Sequence, residues 1–308
     1  MALTLRAMRY VQAALRYKSI TGAAAAMNVA PSAIAAALDQ AEATFGMALV
    51  TRARAKGVFP TLAGRDAGRR IDDLLERYDA LLTGVSDLQS TLSGNLAIGY
   101  NAPVAPGFLP AIAAQMRKAH PDVTFTLTEG DNISVQKGLL DGKFDVIIFV
   151  EELPNPRIET RSLVFAPTYC LFPADHPLAR LDSVTVSQIT GEPLVLLDRP
   201  AARGYYLEVL ERGGEDLRIV ATTNSTEMVR SLVASGIGIS LLNMKPPGVQ
   251  TYAGGSVRCV PIADSTSGVI LSLGFAPGAK RRAVQMFIES CAAFFEGPSG
   301  SLLVVRDT

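Results

Sequence analysis

The chain has 308 residues, enough for about two domains with sizeable cores, and 48% of it is hydrophobic. A formal net charge of zero excludes a chain-wide basic signal for nucleic acid, although the charges are unevenly spread. Cys170, Cys259 and Cys291 are far apart and odd in number, which argues against a disulfide framework or a CxxC metal site and fits a reducing cytoplasm.

Residues 1–60 hold Arg6, Arg9, Arg16, Lys18, Arg52, Arg54 and Lys56 against Asp39 and Glu42, a surplus of five positive charges that the rest of the chain must balance. A basic head on an acidic body is the asymmetry expected of a module that meets phosphate. Leu5, Met8, Val11, Gln12 and Leu15 recur near helical spacing and predict a helix over 3–17. Over 21–42, small alanines pack one helix, Asn28-Val29-Ala30 turns the chain, and Pro31 opens a second helix, where its missing N–H would have no partner anyway. Two helices about such a turn form a helix-turn-helix, whose second helix enters a DNA major groove. The candidate DNA contacts here are Thr21, Pro31, Ser32, Ala33, Ala36 and Gln40. Ser32 either reaches a base or phosphate or caps the backbone, and Pro31 is first of all a helix starter. The stretch 19–38 carries no charge, but it is Ala-rich and holds Asn28, Pro31 and Ser32, so it reads as packed small helices and not as a membrane span; no secretory leader is read at the N-terminus. The basic run from Arg52 to Phe59 suits a two-stranded wing, with Arg52, Arg54 and Lys56 along the phosphate backbone.

Over 62–92, Ile71, Tyr78, Val85 and Leu92 recur every seven residues, as do Leu74, Leu81 and Leu88. Leu75 and Leu82 widen this stripe, which predicts a long helix pairing with a copy of itself, the alternative being a helix packed on its own domain. After Ser93-Gly94-Asn95 the texture alternates. Strands are predicted over 96–100, 123–128 and 144–150, and helices over 107–118 and 134–140. A second set of short segments follows at 168–173, 194–198, 205–211, 219–223, 226–234 and 237–242, then a strand at 269–275 and a helix at 279–295. This is α/β architecture with mainly parallel sheet. The expected organisation is a winged helix-turn-helix over 1–60, a linker helix over 61–92, an effector domain over 93–297 and a flexible tail over 298–308. Within the effector domain, one lobe takes about 95–163 and 268–297, and the other about 164–267.

Two lobes make a cleft, and small ligands bind near the carboxyl ends of such strands. Asn101 and Ala102 follow the first strand, Glu129, Asp131 and Asn132 the second, and Phe149 is the last residue but one of the third. Asp198, Arg199 and Arg203 follow the strand at 194–198, and Asn224, Ser225 and Thr226 open a helix whose free N–H groups attract anions. Each of these is also a plausible turn or cap residue. Acidic groups on one lobe and arginines on the other would suit a zwitterion, whereas a plain carboxylate would use only the second lobe. His120 and His176 both precede proline and read as structural, and no nucleophile, metal or phosphate-loop constellation is found. No cofactor or enzymatic activity is therefore expected.

The chain resembles the LysR-type transcriptional regulators over nearly its whole length. The head carries Ser19-Ile20-Thr21-Gly22-Ala23-Ala24, Pro31-Ser32-Ala33-Ile34, Glu42, Gly46, the segment from Leu49 to Arg52, and Thr61-Leu62-Ala63-Gly64. The body carries Leu140-Asp141-Gly142-Lys143-Phe144-Asp145, His176-Pro177-Leu178-Ala179 and Leu232-Val233-Ala234-Ser235-Gly236-Ile237-Gly238. The resemblance implies a winged helix-turn-helix, a dimerising linker helix and a two-lobed effector domain like periplasmic solute-binding proteins. It implies a homodimer or homotetramer on double-stranded promoter DNA at an interrupted dyad, with RNA polymerase as a further candidate partner, and a bracing role for Arg52. Ala35 stands where the family usually has Ser, Ala36 and Ala37 replace commonly polar positions, Ala41 takes a Leu position and Val50 a Phe position. The recognition helix is left with essentially Ser32, Asp39 and Gln40 to bond bases, so phosphate contacts and DNA shape are expected to carry more of the specificity. The expected function is a transcriptional regulator controlled by a small anionic or zwitterionic metabolite. The alternative is a cytoplasmic small-molecule-binding protein of solute-binding fold without a DNA role.

Overall fold

Small side chains let three helices close on one another at the start of the chain. The computed structural model describes residues 3–53, 57–83, 92–101, 105–152, 154–200, 202–211, 213–214, 217–278 and 280–306. Thr4 caps α1 (Leu5–Tyr17) by accepting from the Ala7 N–H, and Ser19 caps α2 (Ile20–Met27) by accepting from the Gly22 N–H. Asn28, in the left-handed region at φ 52°, turns the chain, and α3 (Pro31–Phe45) leaves α2 at 112°. Val11, Ala14, Ala23, Ile34, Leu38 and Ala41 are wholly buried between the three helices. Among the described residues no single helix is long and apolar enough to cross a membrane.

A two-stranded wing follows, β1 (Val50–Ala53) antiparallel to β2 (Gly57–Pro60). Gly57 has φ +91°, and a Cβ there would sit 2.4 Å from the Lys18 carbonyl oxygen, the group that accepts from the Val58 N–H at 3.0 Å. Arg54 and Lys56 lie outside the described residues. The next helix, α4 (Leu62–Thr83), is seated by Thr61, whose N–H donates to the Leu49 carbonyl and whose hydroxyl donates to the Ala48 carbonyl at 2.7 Å. Gly64 then approaches so closely that a Cβ would fall 1.8 Å from the Leu49 oxygen. Ile71 and Leu75 of α4 are buried in the head's own core, while Leu74 is exposed. The stripe expected to face a second copy is therefore divided, because α1 lies along the first half of α4 and takes the Ile71 and Leu75 side. Val85 and Leu88, and the side chains of Leu81 and Leu82, fall outside the described residues.

The body then builds β3 (Gly94–Asn101), α5 (Leu109–Ala119), β4 (Val123–Gly130), α6 (Asn132–Leu140) and β5 (Val146–Val150). β6 (Glu159–Pro167) carries the chain into the second lobe. There it forms β7 (Tyr169–Pro173), α7 (Val186–Ile189), β8 (Leu194–Leu197), α8 (Ala202–Glu211), β9 (Ile219–Thr223), α9 (Thr226–Ala234), β10 (Ser240–Leu242) and β11 (Val257–Pro261). β12 (Gly268–Phe275) returns to the first lobe, followed by α10 (Arg282–Glu296) and α11 (Pro298–Ser301).

The first lobe's sheet runs β4-β3-β5-β12-β6. β3 is parallel to β4 and β5, and β12 is antiparallel to β5 and β6. In the second lobe β8 and β9 are parallel, but β7 is antiparallel to both β10 and β11. The sheets are thus mixed and not mainly parallel. β12 must run away from the cleft, since it brings the chain back from the second lobe.

A flexible tail is expected over 298–308, but Gly300 and Leu303 to Val305 are buried. Leu303 is wholly buried in the first lobe's core, Val304 bridges to Met244, and Val305 joins the second lobe's core. The apolar run Leu303-Val304-Val305 thus touches both lobes, while Leu302 before it is exposed. Near it, Asn243 is buried with its Nδ2 3.1 Å from both the Ala166 carbonyl and Thr168 Oγ1, and its Oδ1 accepts from the Tyr206 hydroxyl at 2.9 Å. Tyr205 joins this network through Thr168 and Asn243.

Candidate functional site

The head presents α3 with little on its outer face but small groups. Thr21, Pro31, Ser32 and Ala36 are exposed, and Ala33 and Gln40 are half-buried. Ser32, Ala36 and Gln40 stand one turn apart on a single face. No side chain caps α3 at Ala30; Pro31 has no N–H and the Ala33 N–H donates to the Ala30 carbonyl at 3.0 Å, so the first turn is closed by its own backbone. Thr21 Oγ1 lies 3.1 Å from Ser19 Oγ. Arg52 forms an ion pair with Asp39 and approaches Glu42 at 3.9 Å, while Glu42 accepts from the Leu49 and Val50 N–H groups. Arg52 therefore braces the wing against the recognition helix and cancels the Asp39 charge, which would otherwise repel phosphate.

The carboxyl ends of β3, β4 and β5 face the second lobe. Asn101 ends β3, and Glu129 on β4 is in register with Tyr100. From the loop after β8, Arg199 reaches across to the first lobe. Its Nη1 is 3.4 Å from Asn101 Oδ1, its Nη2 is 3.4 Å from Glu129 Oε1, and its Nε donates to the Asn224 carbonyl at 2.6 Å. Three candidates from three separate stretches, Asn101, Glu129 and Asn224, thus meet at the guanidinium of a fourth, Arg199. Asp198 and Arg203 pair with each other at 3.4 Å within the second lobe. Ser225 caps α9 by accepting from the Met228 N–H, and Thr226 Oγ1 is buried without a hydrogen bond. Tyr100, not foreseen as part of this region, has its hydroxyl pKa raised by burial and by the Glu129 charge.

Other candidates do structural work. Asp131 caps α6, accepting from the Ser134 and Ile133 N–H groups at 2.7 and 2.9 Å, and these bonds, that of Ser134 foremost, hold its carboxyl below the usual range. Asn132 clamps the end of β5 through both Val150 backbone groups. Phe149, expected to line the cleft, is wholly buried among Val135, Leu139, Phe144, Ile147 and Ile158, because β5 is covered on both faces. Ala102 lies outside the described residues. Burial pushes the thiols of Cys170, Cys259 and Cys291 above their ordinary range. Among the described residues no cluster of His, Cys, Asp and Glu could hold a metal ion.

Head and body touch at the far end of α6. Arg65 of α4 donates through Nε to the Asp141 carbonyl at 3.1 Å and through Nη1 to the Pro60 carbonyl at 3.0 Å. Arg69 crowds the adjoining Gly142, where a Cβ would sit 3.0 Å from its guanidinium. Beside this contact a cleft of about 1220 Å³ separates α1 and α4 from the first lobe. α6 thus spans from the Asp131–Asn132 rim of the interlobe cleft to the head.

Comparison with known proteins bears on both regions. Residues 5–65 match the bacterial regulatory helix-turn-helix protein of the lysR family, and residues 89–296 match the LysR substrate binding domain. A probable hydrogen peroxide-inducible genes activator of Streptomyces viridosporus is 25% identical over 283 residues, 91% of this chain and 90% of that protein. The crystal structure of HinK, a LysR family transcriptional regulator from Pseudomonas aeruginosa, is 28% identical with a TM-score of 0.61, covering 96% of this chain and 99% of that one. A full-length OxyR variant from Pseudomonas aeruginosa shares the fold with a TM-score of 0.68 at 22% identity, covering 94% of this chain and 98% of that one.

Proposed function

The chain belongs to the LysR family of bacterial transcriptional regulators, and on that premise we propose that a small anionic or zwitterionic metabolite bound between its lobes sets its affinity for promoter DNA. The observation that carries this reading is Arg199, which is supplied by one lobe and bonded to Asn101 and Glu129 of the other. A ligand that engages it must alter how the lobes meet. That change would reach the head through α6 and the Arg65–Asp141 contact, as a shift between two arrangements.

The head binds double-stranded DNA with Ser32 and the α3 N-terminus at the groove, and with Arg54 and Lys56 along phosphate. The regulator acts as a homodimer or homotetramer in the cytoplasm, with RNA polymerase as a candidate partner and no catalytic role. Leu74 on α4 and the exposed Leu127, Ile219 and Val220 on the edge strands β4 and β9 support self-association, since unpaired edges with apolar side chains call for cover. The burial of Cys170 and Cys291 and the half-burial of Cys259 favour a metabolite over peroxide as the signal.

The test is a thermal shift of the full-length protein against amino acids, aromatic acids and amines. Stabilisation by an acid or amino acid, weakened by Thr226→Val and by Arg199→Gln, is expected. Stabilisation only by neutral or cationic compounds contradicts the reading.

A further inference from the structure

We infer that the ligand of the interlobe cleft carries two opposite charges, in the manner of an amino acid, and that Glu129 is the residue that reads its ammonium group. The inference rests on the reading that the effector binds between the lobes, and it names the chemical class. Arg199 Nη2 stands 3.4 Å from Glu129 Oε1, with the arginine side chain 20% exposed and the glutamate 50% exposed. The two rims of the cleft therefore already hold one cation against one anion. Asn101 Oδ1, an acceptor on the same rim as Glu129, lies 3.4 Å from Nη1. The neighbouring Asp198 and Arg203 neutralise each other and do not tip this balance.

Any ligand that engages Arg199 from within the cleft must part the pair, and the outcome depends on what replaces each partner. A plain carboxylate satisfies Arg199 but leaves Glu129 unpaired beside a second negative charge, which is repulsive at such distances. A plain amine satisfies Glu129 and strands the guanidinium in the same way. A molecule with both groups exchanges one ion pair for two. Its carboxylate takes the guanidinium in a bidentate fork. Its ammonium donates to Glu129 and to Asn101 Oδ1. Glu129 thus does more than hold the lobes together: it penalises ligands that lack an amine.

The experiment is calorimetric titration of the full-length protein with the common amino acids, and, for each that binds, with its deaminated acid and its decarboxylated amine. The amino acid should bind about ten-fold or more tighter than either derivative. Glu129→Gln should weaken the amino acid by about ten-fold and leave the deaminated acid as tight or tighter, whereas Glu129→Asp, which keeps the charge, should retain the preference. Equal binding of amino acid and deaminated acid, or an amino-acid affinity untouched by Glu129→Gln, overturns the inference. If acids alone bind and Arg199→Gln abolishes that binding, the cleft site stands and the amine-reading role falls. Binding that survives both substitutions, or no binding by any compound of the set, overturns the cleft reading as well.

Discussion

The head and the cleft use charge in opposite ways. On the head, Arg52 is paired internally with Asp39, and one outer face of α3 carries Ser32, Ala36 and Gln40. In the cleft, Arg199 is held between lobes by an acid, an amide oxygen and a backbone carbonyl. A surface of small groups approaches DNA closely but reads few base edges, so its contribution is fit and phosphate contact. A paired guanidinium discriminates between ligands, because whatever enters must replace each partner it removes. On the proposed function, the difference separates a surface suited to affinity from one suited to chemical selectivity.

The largest effect expected from breaking one region alone is at Gly64. Gly64→Ala drives a methyl into the Leu49 carbonyl and should destabilise the head by about 3 kcal/mol or more. Promoter binding by fluorescence anisotropy should fail while calorimetric ligand binding by the same protein persists; loss of both would show that head and cleft fold as one unit. Ser32→Ala should cost about 1–3 kcal/mol on the preferred promoter if the hydroxyl reads a base. An equal loss on random DNA would assign Ser32 to phosphate positioning. Arg65→Ala removes the bond to Asp141 and should reduce the ligand-induced change in DNA affinity, with ligand binding itself retained. An undiminished change would exclude α6 as the route between the two regions.

Much of the head was legible in the sequence because its signals are local. Asn28 and Pro31 mark a turn and a start within four residues, and each has that role in the structure, whereas the cap at Ser19 shows only in the structure. The cleft depends on contacts that no local pattern encodes. Arg199 and Glu129 are 70 residues apart and belong to different lobes, so both were candidates but their pairing was not visible. Phe149 looked like the mouth of a strand because an apolar run does not show that both faces are covered. β6 was missed because it is an edge strand whose Glu159, Thr160, Arg161 and Ser162 hide the alternation. The run from Leu303 to Val305 reads as a tail because it follows Gly297 and Pro298, yet these three apolar residues are buried against both lobes.

The smallest effect is at the rim of the cleft. Asp131→Ala removes the α6 cap and should lower unfolding stability by about 0.5–1 kcal/mol near neutral pH. Since the folded carboxyl titrates below its unfolded value, this stability is present above the unfolded pKa and is lost as pH falls through the folded one. Urea midpoints of wild type and variant should therefore converge below about pH 4. A gap unchanged in acid would mean that the cap works without its charge.

The link between the two regions is tested most directly by anisotropy of labelled promoter DNA with full-length protein, with and without the amino acid that stabilises it, in wild type and in Arg199→Gln. The ligand should change the wild-type DNA affinity by about ten-fold and leave the variant unaffected. The same change in both proteins, or no change in a wild-type protein shown to bind the ligand, would contradict control of the head from the cleft.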